Sequence, residues 1–233
     1  MNAAVVTVGD ELLTGDTVNT NATWLCTELT DRGVSVRRTV VVPDNLAEIA
    51  QTVNEYRAKY DAVIVTGGLG PTHDDVTMEA VATAFGRTLV EDEEAAEWLC
   101  EHGYAAEDLI EGTAQLPEEA RPLHNEVGVA PGAAIGSVYV LPGVPSEMKA
   151  MFNNIADEFG GEKPITEFIV ANEPESELIG RMEQLQEQYD VKVGSYPGEN
   201  VRIKITGSDE TTVQEAATWL KEKVTLADPQ SQS

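Results

Sequence analysis

Ala62 to Val65 is an unbroken apolar run, and Thr66-Gly67-Gly68-Leu69-Gly70-Pro71-Thr72-His73-Asp74-Asp75 follows it directly. Three glycines leave main-chain N–H groups open to a ligand, and a helix starting just downstream adds the unpaired N–H groups of its first turn. The combination suits a phosphate. The two adjacent carboxylates are harder to place, because a helix needs only one aspartate as its N-cap. A second acidic pair, Asp10 and Glu11, follows Gly9 at the end of the first apolar run, Ala3 to Gly9. If the two runs are parallel strands of one sheet, four carboxylates converge on one edge and raise one another's pKa unless a cation lies among them. A hard divalent ion, bound by oxygens and bridging to a ligand's phosphates, answers that need. Asp10, Glu11, Asp74 and Asp75 are therefore the predicted metal set.

The elements that must hold these loops alternate. After the first strand, Ala22, Leu25, Cys26 and Leu29 recur at helical spacing up to Gly33, and Ser35 to Val42 reads as the next strand. Asn45 with Glu48 resembles a capping box, and Leu46, Ile49, Ala50 and Val53 again follow helical spacing. Ala62 to Thr66 lacks alternation, so it is expected to be buried on both faces. Helices are predicted from about Asp75 to Phe85, over Glu91 to His102 with Trp98 and Leu99 packed inward, and from Ser146 to about Phe159. A strand at Val138 to Leu141 precedes the loop Pro142-Gly143-Val144-Pro145. This βαβ alternation predicts an α/β domain over residues 1–160, a three-layer, mostly parallel sheet between helices. The turn-rich Gly160 to Pro164 marks a boundary. Beyond it, a strand (Ile165 to Ala171), a helix (Pro174 to Tyr189), a hairpin about Pro197-Gly198 and a last helix (Thr211 to Val224) predict a small α+β domain over 165–226, with 227–233 a frayed tail.

Composition narrows the function classes. Lys and Arg total 15 against 41 Asp and Glu, a formal charge of −26 spread along the whole chain. That distribution reads as a halophile's adaptation, serving hydration and solubility once salt screens the repulsion. No basic stripe exists along the sequence to neutralise phosphates, which argues against nucleic acid. No run of about 18 apolar residues predicts a membrane span, and no signal segment precedes Ala3, so a cytoplasmic location is expected. Cys26 and Cys100 sit on apolar helical faces and read as core thiols. His73, His102 and His124 lie too far apart in sequence to suggest a metal cluster.

Gly9 to Asn21 (GDELLTGDTVNTN), Thr66 to Thr77 (TGGLGPTHDDVT) and Leu141 to Met148 (LPGVPSEM) together resemble the MoaB/Mog molybdopterin-binding superfamily. Their wording is closest to the N-terminal region of the competence-damage-inducible CinA proteins. Glu175 to Leu185 (ESELIGRMEQL) and Val193 to Pro197 (VGSYP) are similar to the small KH-like domain that follows it there. The resemblance implies a MoaB/Mog-like fold, a nucleotide or pterin phosphate at the glycine loop, dependence on a divalent metal such as Mg2+, Mn2+ or Co2+, and homo-oligomers. It carries catalytic and metal-binding roles onto Asp74 and Asp75, and onto Glu11 the acid of the GDE motif. CinA proteins continue into an amidase domain that this sequence does not contain, so deamidase activity is not expected.

Three functions compete. The first is metal-dependent hydrolysis of a dinucleotide pyrophosphate such as ADP-ribose or FAD, with Gly9, Thr66, Gly67, Gly68, Gly70, Thr72, Gly143 and Pro145 as substrate or phosphate contacts. The second is molybdopterin binding or adenylation in the same groove. The third is a non-enzymatic module with an RNA-reading small domain, disfavoured because Gly194-Ser195-Tyr196-Pro197-Gly198 lacks the GXXG spacing and lies among acids. Asn19 and Asn21 read as caps of the first helix, with ligand contact the alternative, and Glu147 as a first-turn residue answering the helix dipole.

Overall fold

The computed structural model describes residues 1–70, 72–104 and 112–227. It comprises two compact units, Met1–Gly161 and a second beginning at Glu162. In the first, β1 (Asn2–Val8), α1 (Asp10–Thr14), α2 (Thr20–Asp31), β2 (Ser35–Val42), α3 (Leu46–Arg57), β3 (Ala62–Thr66) and α4 (Thr77–Phe85) come first. They are followed by β4 (Leu89–Glu91), α5 (Glu93–Glu101), β5 (Gln115–Pro117), β6 (Arg121–Leu123), β7 (Gly132–Ile135), β8 (Val138–Leu141) and α6 (Pro145–Ile155).

The main sheet has the order β2-β1-β3-β8-β7-β6. Its first four strands are parallel, whereas β7 and β6 run antiparallel at one edge. Successive side chains of the central strands point to opposite faces, and both faces are covered. Val6, Val8, Val63 and Val65 pack with Ile49 and Val53 of α3, Ala80 and Val81 of α4, and Leu99 of α5. Ala3, Val5, Ala62 and Ile64 pack on the other side with Leu25 and Leu29 of α2 and Met148, Met151 and Phe152 of α6. Strand β3 is buried at every position for this reason. The result is the expected three-layer, largely parallel α/β fold.

Several local expectations change. The residues after Gly9 do not form an open loop: they wind into the short helix α1. Helix α4 starts at Thr77, not Asp75, and its N-cap position is Val76 with no side-chain cap, so neither aspartate caps it. The irregular stretch before β8 contains the small β4–β5 ladder and the antiparallel pair β6–β7. Cys100 is exposed and is not a core thiol, whereas Cys26 is half-buried and packs at the margin of the core formed by α2 and α6. Asn45 does cap α3, accepting from the amides of Ala47 and Glu48, and Asn19 caps α2 through Ala22 N at 3.1 Å.

In the second unit, β9 (Ile165–Ala171), α7 (Glu175–Gln188), β10 (Lys192–Tyr196), β11 (Val201–Gly207) and α8 (Glu210–Lys221) form an α+β layer pair. The antiparallel sheet has the order β10-β11-β9. One face packs Ile169, Ile203 and Ile205 against Leu178 and Leu185 of α7 and Val213 and Leu220 of α8. Ala227, the first residue of the expected tail, donates to Val170 O at 2.9 Å, and residues 228–233 lie outside the described residues. Among the described residues no helix is long and apolar enough to cross a membrane.

Glu173 closes this unit by accepting from the amide of Thr225 and from the Arg181 guanidinium. The Thr225 amide first, and Arg181 next, hold its carboxyl below the usual carboxylate range. A depressed folded-state pKa contributes stability above the unfolded value, and this is lost as pH falls through the folded one. Glu173→Gln should therefore lower the thermal midpoint at neutral pH and show a smaller further loss than wild type once the pH falls below the ordinary glutamate value of 4.5. Equal acid slopes for the two proteins would contradict the assignment.

Candidate functional site

The carboxyl ends of β1, β3 and β8 lie side by side, with Thr7 opposite Thr66 and Thr66 opposite Leu141. The loops leaving them are therefore neighbours, at the place where open α/β sheets bind ligands. Gly67 N donates to Leu141 O at 3.2 Å, the Thr66 hydroxyl to Pro142 O at 2.6 Å, and Asn21 Nδ2 to Gly143 O at 2.7 Å. Gly67 has φ 107°, and a Cβ there would stand 2.3 Å from Val8 O. No side chain fits between those strand ends.

Beside this junction opens a cleft of about 870 Å3, lined by Gly68, Gly70, Thr72, Asp75, Gly143 and Glu147 among others. Met78 and Glu79, in the first turn of α4, and Glu147, in the first turn of α6, also face it. Neither helix has a side-chain cap; Thr77 N is bonded to Gly68 O at 3.2 Å and Pro145 carries no N–H, so a ligand at either helix start would meet only the N–H groups that follow them. No Lys or Arg is among the described residues lining the cleft. Pro145 and Gly143 border a smaller cavity of about 100 Å3 next to it, together with Glu11, Asn21, Thr66 and Gly67. Gly143 belongs to both walls.

Of the predicted carboxylates, Asp75 lines the cleft and Glu11 the small cavity, while Asp10 and Asp74 line neither. Asp75 accepts from Thr72 N at 3.0 Å and from the Thr72 hydroxyl, and a Cβ on Gly70 would meet its Oδ2 at 2.6 Å. Gly70 thus makes room for the Asp75 carboxylate. Asp10 instead exchanges hydrogen bonds with Asp44: Asp10 N donates to Asp44 Oδ2 at 2.9 Å, and Asp44 N to Asp10 Oδ1 at 3.4 Å. The Asp44 carboxyl is raised above its ordinary range, first by burial, against the lowering effect of the Asp10 amide, and then by the charges of Asp10, Glu11 and Asp74. Those three acids and Asp44 share one electrostatic neighbourhood, and Asp75 lines the cleft.

The expected gathering of Asp10, Glu11, Asp74 and Asp75 about one point does not occur. Among the described residues no three His, Cys, Asp or Glu side chains are grouped to hold a metal. The reason is local: α1 starts directly after Gly9 and turns Asp10 onto Asp44, and Thr72 draws Asp75 to the far wall. Of the four predicted acids, only Asp75 lines the cleft and only Glu11 the smaller cavity.

Two residues of the site carry little signal in the sequence. Asp44 has no motif around it, and only the pairing of β1 with β2 brings it to Asp10. Glu147 reads there as a dipole residue, yet it faces the cleft and is positioned from a distant loop: Asn125, 1% exposed, donates to its Oε2 at 2.8 Å and to Ala130 O at 3.0 Å. Asn125 Oδ1 accepts from Gly128 N at 2.8 Å, and a Cβ on Gly128 would overlap the Glu147 carboxylate. Asn21, expected to cap α2, ties the Gly143 loop to the Thr66 strand end instead.

Because the obstacle at Gly67 is the backbone of Val8, Gly67→Ala should lower stability by about 1–3 kcal/mol in denaturant unfolding. Gly15→Ala, at a left-handed position with open space around it, should cost less; equal losses would show that crowding at the junction does not matter.

Comparison with known proteins agrees with this geometry. Residues 4–160 match the family described as "Probable molybdopterin binding domain", and residues 163–229 match "FAD synthase, middle domain". A protein of Archaeoglobus fulgidus is 36% identical, with 95% of this chain and 97% of its own covered. One from Pyrococcus furiosus is 40% identical, with 96% and 97% covered. The crystal structure of CinA from Thermoplasma acidophilum, described as of unknown function, superposes with a TM-score of 0.64 at 42% identity, covering 68% of this chain and 97% of that one. With these matches and the three loops of its sheet edge, the chain belongs to the MoaB/Mog-type molybdopterin-binding domain family, in its CinA-like form.

Proposed function

We propose that the chain is a divalent-metal-dependent pyrophosphatase that cleaves a dinucleotide such as ADP-ribose or FAD. The observation that carries this reading is the cleft itself: glycine-loop and helix N-terminal N–H groups, an oriented Asp75, and no lining Lys or Arg among the described residues. Such a site favours an anion through main-chain dipoles, and its volume suits a nucleotide-sized ligand. A divalent ion held by Asp75, or by carboxylates of the Asp10–Glu11 pair, with the substrate's phosphates would neutralise the diphosphate charge.

The roles of the protein groups follow. Asp75 is fixed by two hydrogen bonds from Thr72 to one of its oxygens, which leaves the other to accept a proton from a water poised at the diphosphate. That water adds to one phosphorus, the bridging P–O bond breaks, and two phosphomonoesters leave, one of them AMP. The N–H groups at Gly68 and Gly70 and in the first turn of α4 face the phosphoryl oxygens as charge builds there. Glu11 borders the small cavity, and Asp74 shares the electrostatic neighbourhood of Asp44 with Asp10 and Glu11. The match of the second unit to the middle domain of FAD synthase supports a flavin or adenine dinucleotide as substrate class.

The match of residues 4–160 to a molybdopterin-binding family favours a second reading, molybdopterin binding or adenylation in the same cleft. Incubation with ADP-ribose or FAD and Mg2+, Mn2+ or Co2+, in both dilute and near-saturating KCl, separates the two. The pyrophosphatase releases AMP, and Asp75→Asn should slow release about 10²–10⁴-fold, the usual contribution of a positioned base. Absence of AMP with every metal, together with saturable molybdopterin binding, would move the assignment to the second reading.

A further inference from the structure

The second unit has one sheet face covered by helices and one open. Alternation along its strands places Phe168 of β9, Lys192 and Tyr196 of β10, and Arg202 and Lys204 of β11 on the open side. The remaining positions there, such as Thr166, Val170, Gly194 and Thr206, are uncharged. A chain with 41 acids therefore presents strand positions with three cations and no carboxylate on this face. Phe168 and Tyr196 are 49% and 46% exposed, large values for aromatic rings on a sheet. The Arg202 guanidinium lies between them, 5.3 Å from the Phe168 ring centre and 5.2 Å from that of Tyr196, and Lys204 Nζ is 6.0 Å from Phe168. None of the three cations forms an ion pair among the described residues.

We propose that this open face binds single-stranded nucleic acid, with bases laid against Phe168 and Tyr196 and phosphates met by Lys192, Arg202 and Lys204. Exposed rings on a flat sheet beside unpaired cations are the features that unpaired bases and their backbone require, whereas a duplex hides its base faces. Gly194, opposite Lys204 in register, leaves its position without a side chain: a Cβ there would meet only the Tyr196 side chain, at 3.8 Å. The acidic composition, which along the sequence argues against nucleic acid, does not forbid the contact, since at physiological salt charges beyond about 8 Å are largely screened. This proposal does not depend on the chemistry of the cleft in the first unit.

The test uses the full chain and 5′-fluorescein-labelled oligouridine and oligothymidine of about 12 nucleotides, within the site sizes of single-strand binders, read by fluorescence anisotropy over a roughly tenfold range of KCl from about 50 mM. Saturable binding of either strand is expected, with log affinity falling against log salt at a slope of roughly −2, as three neutralised phosphates on a single strand give. Phe168→Leu, which keeps the strand apolar but removes the ring, should weaken binding about tenfold, and Lys204→Gln should make the salt slope shallower by about 0.7. Thermal melts of the variants confirm folding. The proposal is overturned by no anisotropy change at the lowest salt, by binding that neither substitution alters, or by sedimentation showing self-association that Arg202→Glu abolishes, which would assign the face to a second copy.

Discussion

The first unit depends on how closely the ends of three parallel strands can approach. Their loops are joined main chain to main chain: Gly67 N to Leu141 O, the Thr66 hydroxyl to Pro142 O, and Gly67 against Val8 O without space for a Cβ. A side chain at that position would push β3 from β1 or force the Gly67 loop outward. Either shift would displace Gly68, the next residue, whose carbonyl accepts from Thr77 N at the start of α4. The start of α4 and the Gly68 wall of the cleft are downstream of that one contact. The glycines of this loop have different jobs: Gly67 permits the strand junction, Gly68 (φ 66°) passes over the buried Thr77, and Gly70 makes space for a carboxylate.

Charge is arranged unevenly in a chain whose formal charge is −26. The cleft is bordered by two helix starts and a glycine loop, and Asp75, Glu79 and Glu147 line it, with no Lys or Arg among the described lining residues. At the neighbouring strand ends the acids repel enough to help raise Asp44, even though the Asp10 amide bonds to it. The second unit does the opposite, collecting side-chain cations on its open sheet face.

Glu147 illustrates how a short motif hides a longer dependence. Its helix and the preceding Pro142-Gly143-Val144-Pro145 turn are local in sequence, but its carboxylate is held by Asn125, buried and 22 residues upstream. Asn125 also organises the turn through Val127, Gly128 and Ala130. The cleft wall opposite the glycine loop is therefore built around a buried polar residue, whose loss would strand several main-chain groups at once.

The sequence by itself determined the layer architecture and the edge at which the site lies. Runs such as Ala62 to Thr66, apolar at nearly every position, are compatible with burial on both faces, and glycine-rich segments after parallel strands emerge on one side of a sheet. It also determined the helix faces of α2, α3 and α6 and the caps Asn19 and Asn45, all of which are interactions within a few residues. Only the tertiary structure decided which acids meet. Asp10 found Asp44 and not Asp75, because α1 starts directly after Gly9 and strand pairing sets β2 beside β1; neither pattern has a periodicity to betray it. The same is true of the basic sheet face, where Lys192, Arg202 and Lys204 are dispersed among acids along the chain and are brought together by register. Periodicity reports the direction of a side chain relative to its own element, whereas a site depends on distances between elements, and these are set by packing.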